Sequence, residues 1–147
     1  MNIEKLREEL KIDECVKYEV YLDHLGLPTC GIGHLITEDD DEHGKSVGTA
    51  VSEERVNELF ELDIEATIGE CNILYENFNS LPEEVQRIIA NMMFNMGRPR
   101  LSKFVKMKEA VNNKDWTEAS VQMKDSKWYS QVPNRAGRLI ERMKEVS

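Results

Sequence analysis

The 147-residue sequence predicts a mostly helical α+β protein. Three observations support this class. Apolar side chains recur at helical spacing from residue 3 to about residue 14, residues 18–32 have the pattern of two short strands around a turn, and helical spacing returns from residue 52 onward. The length fits one domain or two closely joined lobes, with enough chain to bury an apolar core.

The first helix is predicted from Ile3, Leu6 and Leu10, which lie on one face. Continuing that stripe by four residues leads to Glu14. An acidic residue on a core-facing stripe is unusual, because burying a carboxylate costs free energy unless it is paired or protonated. The alternative is that the helix has already ended and Glu14 is solvated, and the spacing alone does not decide between the two.

A β-hairpin is predicted next. Tyr18 to Leu22 reads as a strand, residues 23–26 as a turn that begins with Asp23, and Pro28 to Ile32 as the returning strand. Gly31 and Gly33 do not form a dinucleotide-binding fingerprint, since the third glycine and the βαβ context are missing. We expect these glycines to let the backbone turn sharply beside a packed neighbour.

Five consecutive acidic residues follow at positions 38–42. Together with His43 and Gly44 they resemble a calcium-binding loop that starts at Asp39. The likeness fails at two ligand positions, because His43 stands where an oxygen ligand is needed and Ala50 stands where the bidentate Glu should be. We therefore predict a solvated acidic loop.

A long helix is expected after this loop, with Ser52 as its N-cap. Asp63 comes seven residues after Val56 and shares its apolar face, so it is a candidate to pair with a buried base. His34 is the basic residue that we expect to pair with Asp63. The helix is predicted to connect the hairpin region to the rest of the chain. Its apolar stripe consists of Val56, Leu59, Phe60, Ile64 and Ile68.

The remaining sequence predicts further helices. The most hydrophobic one begins near Pro82 and ends at Gly97, and methionine-rich packing of this kind is typical of a core. Shorter helices are expected around residues 104–111 and 116–123, and the last helix opens at Pro133. Arg135 lies at the margin of its inner face, where a guanidinium suits a partly buried carboxylate, although a surface position remains the alternative.

Composition excludes several functional classes. With 19 basic and 28 acidic residues the formal net charge is −9, which argues against binding of nucleic acid or anionic lipid through broad attraction. Three cysteines without paired spacing predict reduced thiols in a cytosolic protein. The first residues have no apolar signal-peptide core, and no apolar run is long enough for membrane insertion.

Glu14 and Asp23 are the candidates for chemistry. Glycoside hydrolysis commonly uses one carboxyl group that protonates the leaving oxygen and another that activates water or attacks directly. A partly buried Glu14 and an Asp23 at an exposed turn suit these two roles, although two acidic residues are a weak signal among 28. Zinc-hydrolase and serine-hydrolase motifs are absent from the sequence. The spacing of Cys15, Cys30 and His34 does not favour a metal site, so no cofactor or metal is expected.

Read together, Glu14, Asp23, Thr29 and the segment Gly31-Ile32-Gly33-His34-Leu35 resemble the phage-type lysozyme family. The likeness continues in the N-terminal MNI, in the IDE that ends at Glu14, in the NM-x-F-x-MG segment of residues 91–97, and in Trp128 with the PNRA of residues 133–136. These segments agree with the family in order and approximate spacing over nearly the whole chain.

The resemblance implies a two-lobe lysozyme-like fold within one domain, residues 1–147. A small α+β lobe with a hairpin sheet is expected at residues 12–60, a connecting helix at 52–69, and a helical lobe formed by residues 1–11 and 70–147. The implied activity is hydrolysis of the β-1,4 bond between N-acetylmuramic acid and N-acetylglucosamine in bacterial peptidoglycan. We expect a monomer that has peptidoglycan as its partner, is made in the cytoplasm and acts on the cell wall after release.

The resemblance also implies roles for individual residues. Glu14 corresponds to the general acid, Asp23 to the second carboxylate and Thr29 to the residue beside the attacking water. The family inverts the anomeric configuration, which requires carboxyl groups about 6.5–9.5 Å apart. Further residues correspond to supporting positions (Arg135 beside the catalytic Glu, the pair His34 and Asp63, and Asn95 in place of a glutamine) and to saccharide-contacting positions (Leu35, Phe94, Met107 and Gln122).

Two alternatives stay open on the same scaffold. One is a non-catalytic protein that binds peptidoglycan, which the acidic charge and the shorter acidic loop favour and the intact Glu14, Asp23 and Thr29 oppose. The other is a lytic transglycosylase, which need not keep Asp23 and Thr29. Because peptidoglycan is anionic, the negative charge also predicts weaker attraction to the wall and an altered salt dependence.

Overall fold

The computed structural model describes residues 1–146 and confirms the α+β class. Within these residues, seven α-helices accompany one small antiparallel sheet of three strands. The helices are α1 Ile3–Glu14, α2 Glu53–Leu74, α3 Glu83–Leu101, α4 Val105–Asn112, α5 Trp116–Lys124, α6 Lys127–Gln131 and α7 Pro133–Lys144; the strands are β1 Lys17–Leu22, β2 Pro28–Gly31 and β3 His34–Leu35. Residues Phe78–Ser80 form a 3-10 turn.

Backbone contacts divide the chain into two compact units. Unit 1 comprises Met1–Leu6 and the chain from Thr67 onward, and unit 2 comprises Arg7–Ala66, so the boundaries fall inside α1 and α2. The two units differ sharply in charge. Unit 2 contains 17 acidic and 5 basic residues, whereas unit 1 contains 11 acidic and 14 basic residues. The whole net negative charge of the protein therefore belongs to unit 2.

Unit 2 contains the sheet, in the order β1-β2-β3. The predicted hairpin is present, with Tyr21 opposite Thr29 and Leu22 opposite Pro28. The two-residue strand β3 was not predicted; it pairs with β2 through Thr29–Leu35 and Cys30–His34. Its two residues are too few to show an alternating pattern. The core of this unit is formed by the buried residues Leu10, Val20, Cys30, Ile32, Val51, Val56, Leu59, Phe60 and Ile64.

Helix α1 ends at Glu14, as predicted, and the next residue explains why. Cys15 has φ of +63°, the left-handed conformation that stops a helix, and its amide donates to the Lys11 carbonyl at 3.1 Å. Glycine is the usual residue at such a position because it adopts positive φ without a steric penalty. The end of the helix thus brings Glu14 to the edge of the strand region.

The prediction of a solvated acidic loop at residues 38–42 is wrong for two of its five members. The side chains of Asp40 and Glu42 are only 14% and 8% exposed. Asp40 pairs with His34, and Glu42 pairs with Arg55 of α2, at an Oε2–Nε distance of 3.0 Å. Paired carboxylates tolerate burial because the partner cation and its hydrogen bonds replace the lost water.

Helix α2 begins after Ser52, whose Oγ accepts the amide of Arg55 at 3.1 Å, as the N-cap prediction requires. It continues to Leu74, five residues beyond the predicted end at residue 69. The apolar pattern explains the extension, since Cys71 continues the buried face and is completely inaccessible.

Unit 1 is helical, and α3 contributes more buried residues than any other of its helices. The predicted end of α3 at Gly97 corresponds to a break, where φ is +79°, followed by a last turn that contains Pro99 and ends at Leu101. Phe104 and Trp128 contact each other edge to face, with ring centroids 6.3 Å apart. Among the described residues, no helix combines the length and apolar character needed to cross a bilayer.

Candidate active site

Three predicted catalytic residues belong to unit 2, and two of them meet at one backbone residue. Asp23 Oδ1 accepts the amides of Leu25 and Leu27, at 2.8 and 2.9 Å. Thr29 Oγ1 donates to the carbonyl of the same Leu27 at 2.9 Å. The turn that joins β1 to β2 therefore fixes the Asp23 carboxylate and the Thr29 hydroxyl relative to each other. Both hydrogen bonds end on Oδ1 of Asp23. They therefore satisfy that oxygen as an acceptor and also hold the carboxylate in one orientation.

Thr29 is almost inaccessible, with 4% exposure, whereas Asp23 is half-buried rather than fully exposed as the turn pattern predicted. The difference follows from the turn itself, because the side chain of Asp23 folds back onto the amides of its own loop. A threonine hydroxyl that donates to a carbonyl still has lone pairs that accept a hydrogen bond from water.

Glu14 is half-buried at the end of α1 and packs against the second hairpin turn. A Cβ atom placed on Gly33 would lie only 2.5 Å from Oε2 of Glu14. Gly33 also has φ of +64°, a conformation that favours glycine, and an added Cβ atom would displace the end of the Glu14 side chain. Gly31, which has the same φ, lies against Val56 in the same way. The sequence-based expectation that the two glycines turn beside packed neighbours is confirmed.

Tyr21 belongs to the same cluster, although nothing in the sequence pattern distinguished it apart from its place in a predicted strand. It lies opposite Thr29 in the sheet, and Lys17 Nζ is 4.3 Å from its ring centroid. Burial raises the pKa of its phenol, and the negative charges of Glu14 and Asp23 raise it further. The phenol is therefore neutral and retains its proton at physiological pH, beside both candidate carboxyl groups.

His34 forms the predicted pair with Asp63 and a second, unpredicted pair with Asp40. Its Nδ1 lies 2.7 Å from Asp63 Oδ2, and its Nε2 lies 2.7 Å from Asp40 Oδ2. Burial lowers the pKa of His34, but hydrogen bonds to Asp63 and Asp40 outweigh this effect and raise the pKa to about 9. At neutral pH the imidazole is cationic and donates to both carboxylates.

The other predicted positions lie in unit 1, apart from Leu35, which is 49% exposed on β3. Arg135 is buried rather than superficial, and its Nε donates to Asn91 Oδ1 at 2.8 Å. Asn95 Oδ1 accepts the indole N–H of Trp128 at 2.8 Å. Phe94 and Gln122 are partly exposed, and Gln122 Nε2 donates to Glu118 at 2.7 Å. The pairing of Glu14 with Arg135 joins residues of different units and stays a prediction.

Met107 requires a correction. Its side chain has 0% exposure, on the buried face of α4 with Ala110 and Val111. A saccharide cannot contact a side chain that has no accessible surface, so the expectation that Met107 binds substrate is wrong. Position in a family pattern does not report exposure, which depends on how α4 packs in this chain.

In the part of the chain that the structure describes, no three His, Cys, Asp or Glu residues are arranged to hold a metal ion. Cys15 is exposed, whereas Cys30 is buried at 0% exposure. Burial, together with the nearby carboxylates of Glu42 and Asp40, raises the pKa of the Cys30 thiol to about 11. These properties make Cys30 a packed core residue.

Comparison with known proteins identifies the family to which the chain is similar. The family described as phage lysozyme matches residues 11–145. A probable T4-type lysozyme 2 of Dictyostelium discoideum is 33% identical over 94% of this chain and 92% of its own length. The peptidoglycan hydrolase gp36 of Pseudomonas phage phiKMV is 30% identical over 93% of this chain but 15% of its own length. The pre-baseplate central spike protein Gp5 of Enterobacteria phage T4 is 28% identical over 91% of this chain and 26% of its own length.

Proposed function

Because the chain belongs to the phage lysozyme family and is a lysozyme-like peptidoglycan hydrolase, we propose that it is a muramidase. It cleaves the β-1,4 bond between N-acetylmuramic acid and N-acetylglucosamine in bacterial peptidoglycan. The observation that carries the proposal is the joint anchoring of Asp23 and Thr29 on Leu27, on the hairpin whose other turn packs against Glu14. Two carboxyl groups and a hydroxyl on one small scaffold match the needs of glycoside hydrolysis.

Glu14 donates the proton to the glycosidic oxygen as the bond breaks. Its place at the end of α1, against the backbone of Gly33, holds the carboxyl group on one side and limits its rotation. A general acid acts only when its carboxyl group is within hydrogen-bond reach of the leaving oxygen, so this restriction contributes to catalysis. Arg135 supports the carboxyl group of Glu14 in our proposal.

Asp23 and Thr29 bind and activate the attacking water molecule. The hydroxyl of Thr29 donates a hydrogen bond to the Leu27 carbonyl. The lone pairs of its Oγ1 accept a hydrogen bond from the attacking water. Asp23 accepts the other hydrogen as general base and stabilises the positive charge that develops on the sugar ring. Attack by water from the face opposite the leaving group inverts the anomeric configuration.

Saccharide contacts come from Leu35, Phe94 and Gln122 in this proposal, all of which have accessible surface. Asn95 and the pair His34–Asp63 are supporting residues in the same proposal. The protein functions as a monomer without a cofactor. It is made in the cytoplasm and hydrolyses the wall after release from that compartment.

The deciding experiment measures the clearing of Gram-negative cells whose outer membrane has been permeabilised. The wild-type protein should lower turbidity, and Glu14→Gln should lower the rate by at least about 1,000-fold, because the amide has no acidic proton to transfer to the leaving oxygen. Glu8→Gln, an exposed change of the same chemistry on α1, should keep wild-type activity. Equal clearing by wild type and Glu14→Gln would remove Glu14 from the mechanism.

Product analysis separates the remaining alternatives. A muramidase releases new reducing ends from purified peptidoglycan, with inverted configuration at the cleaved carbon. Sedimentation with insoluble peptidoglycan without any reducing ends would identify a non-catalytic wall-binding protein. Formation of 1,6-anhydro sugars would identify a lytic transglycosylase and would leave no role for Asp23 and Thr29 in activating water.

A further inference from the structure

One residue of the acidic segment, Asp40, makes contacts that a solvated loop residue does not need. Its Oδ2 accepts the Thr37 amide at 2.8 Å and lies 2.7 Å from Nε2 of His34. Burial raises the pKa of this carboxyl group, but hydrogen bonds from Thr37 and His34 more than compensate and lower the pKa below its usual range. Asp40 is therefore ionised, oriented and fixed to strand β3 through His34.

His34 is held from two sides as a result. Asp63 of α2 contacts its Nδ1, and Asp40 of the acidic segment contacts its Nε2, so both ring nitrogens are used. We refer to Asp40, His34 and Asp63 as the imidazolium clamp. With two carboxylates in contact, the ring has one orientation, and β3 is tied to α2 and to the acidic segment at the same point.

The imidazolium clamp lies directly beside the candidate catalytic residues. His34 follows Gly33, whose backbone forms the wall against Glu14. The same short strand pairs with β2, where Thr29 lies opposite Leu35. A displacement of His34 would therefore move the wall beside Glu14 and the strand that pairs with Thr29 together.

We propose that Asp40 is a positioning residue for the catalytic site: it closes the clamp on His34 and so holds the turn at Gly33 against Glu14 and strand β3 against Thr29. The inference rests on the proposed muramidase function. Asp40 does not contact the reacting atoms in this proposal; it acts through His34. The acidic segment thus contributes to catalysis through one particular member, while Asp39 and Asp41 remain exposed.

Other charged groups near the clamp define its pH range. Arg55 of α2 lies 3.9 Å from Asp40 and also binds Glu42, and it remains charged throughout. The Cys30 thiol on β2 is neutral below pH 9, since its pKa is about 11. His34 itself loses its proton near pH 9, at which point both of its contacts weaken. The clamp therefore holds below about pH 9 and loosens above it.

The experiment compares Asp40→Asn with Asp39→Asn, an exposed neighbour that undergoes the same loss of one negative charge. Initial rates on soluble peptidoglycan fragments give kcat and KM at a temperature where each variant is fully folded. For Asp40→Asn we expect kcat to fall about 5- to 50-fold with little change in KM, because small displacements of catalytic groups have effects of this size. Asp39→Asn should match the wild type in both kcat and KM.

NMR titration of the His34 ring provides a measurement that does not depend on activity. The pKa of His34 should fall in Asp40→Asn and stay near 9 in Asp39→Asn. If this pKa falls while kcat stays at its wild-type value, Asp40 has only a structural role and the inference is overturned. If the wild-type protein releases no reducing ends at all, the proposed function fails instead, whatever the titration shows.

Discussion

The Cβ position of Gly33 lies 2.5 Å from Oε2 of Glu14, closer than any non-bonded carbon and oxygen atoms approach in a relaxed structure. A backbone position in the second hairpin turn is thus in direct contact with the proposed general acid at the end of α1. A side chain added at position 33 would therefore displace the carboxyl group of Glu14, although glycine itself takes no part in the reaction.

Gly33→Ala should therefore lower activity at least tenfold, because the added methyl group displaces the Glu14 carboxyl group. The positive φ adds a loss of stability of about 1–2 kcal/mol. Gly44→Ala is the matched control, since Gly44 has φ of +78° but no atom within 4 Å of its Cβ position. Clearing assays and thermal unfolding should show strain in both variants and loss of activity only in Gly33→Ala. Equal activities would show that Glu14 adjusts without consequence.

Stability should depend on pH through His34. Its pKa is about 9 in the folded protein and about 6.5 in an unfolded chain, so the stabilisation is complete below about pH 6.5 and is lost as the pH rises through 9. Urea unfolding should find Asp63→Asn less stable than the wild type by about 1–3 kcal/mol at pH 6 and nearly equal to it at pH 10. Glu65→Gln, an exposed change on α2, should give no such trend. A constant difference across this range would contradict the linkage.

The three thiols should differ in reactivity. Cys15 is exposed, whereas Cys30 and Cys71 have no accessible surface, and burial raises their pKa values to about 11 and about 12. A thiol-specific reagent should modify one cysteine per folded chain and three per unfolded chain. Because Cys15 follows Glu14, a bulky adduct should also reduce clearing activity, and Cys15→Ser should resist that loss. Rapid modification of two or three thiols in the folded protein would contradict the assignment.

Cys15→Gly should stabilise the protein by about 0.5–1 kcal/mol, since glycine adopts the observed φ of +63° without a steric penalty. Cys15→Ala is the control, because it removes the thiol and retains the strained conformation. Chemical unfolding should therefore rank the variants with glycine above alanine. The opposite order would mean that the extra conformational entropy that glycine gives the unfolded chain outweighs the strain that it relieves in the folded protein.

Met107→Ala should test the corrected assignment of this residue. Removing a fully buried methionine side chain should cost about 2–5 kcal/mol of stability, with KM unchanged in the remaining folded protein. Met107→Leu should be well tolerated because it keeps the volume. Gln122→Ala, at a partly exposed position, should show the reverse pattern, with a raised KM and near-normal stability. A raised KM for Met107→Ala at full folding would restore a role in binding.

Local patterns predicted the elements that are regular. The stripe of Ile3, Leu6 and Leu10 predicted a helix that ends at Glu14, and turn residues predicted the hairpin that contains Asp23 and Thr29. These features depend on neighbours in sequence, which is why periodicity and turn chemistry identify them. Pairing between Asp63 and His34 followed from the position of Asp63 on an apolar helix face.

Features that depend on contacts distant in sequence were not predictable in this way. Asp40 and Asp39 are chemically identical in the sequence, yet only Asp40 reaches the His34 ring. The same limit applies to Met107, whose burial depends on the packing of α4, and to β3, which exists only because β2 is beside it. In each case a tertiary contact determines the environment of a residue whose local pattern is uninformative.

The unequal charge of the two units has a consequence for the medium in which the protein acts. Unit 2, with its 17 acidic and 5 basic residues, must accumulate a cloud of counterions, and these are most concentrated around the part of the chain that contains Glu14 and Asp23. Peptidoglycan is a polyanion with a counterion cloud of its own. Dissolved cations, and divalent ones above all, screen the repulsion between the negatively charged unit 2 and the negatively charged wall. We expect moderate salt to strengthen the binding of this acidic enzyme to the wall. The same salt would weaken the binding of a basic enzyme.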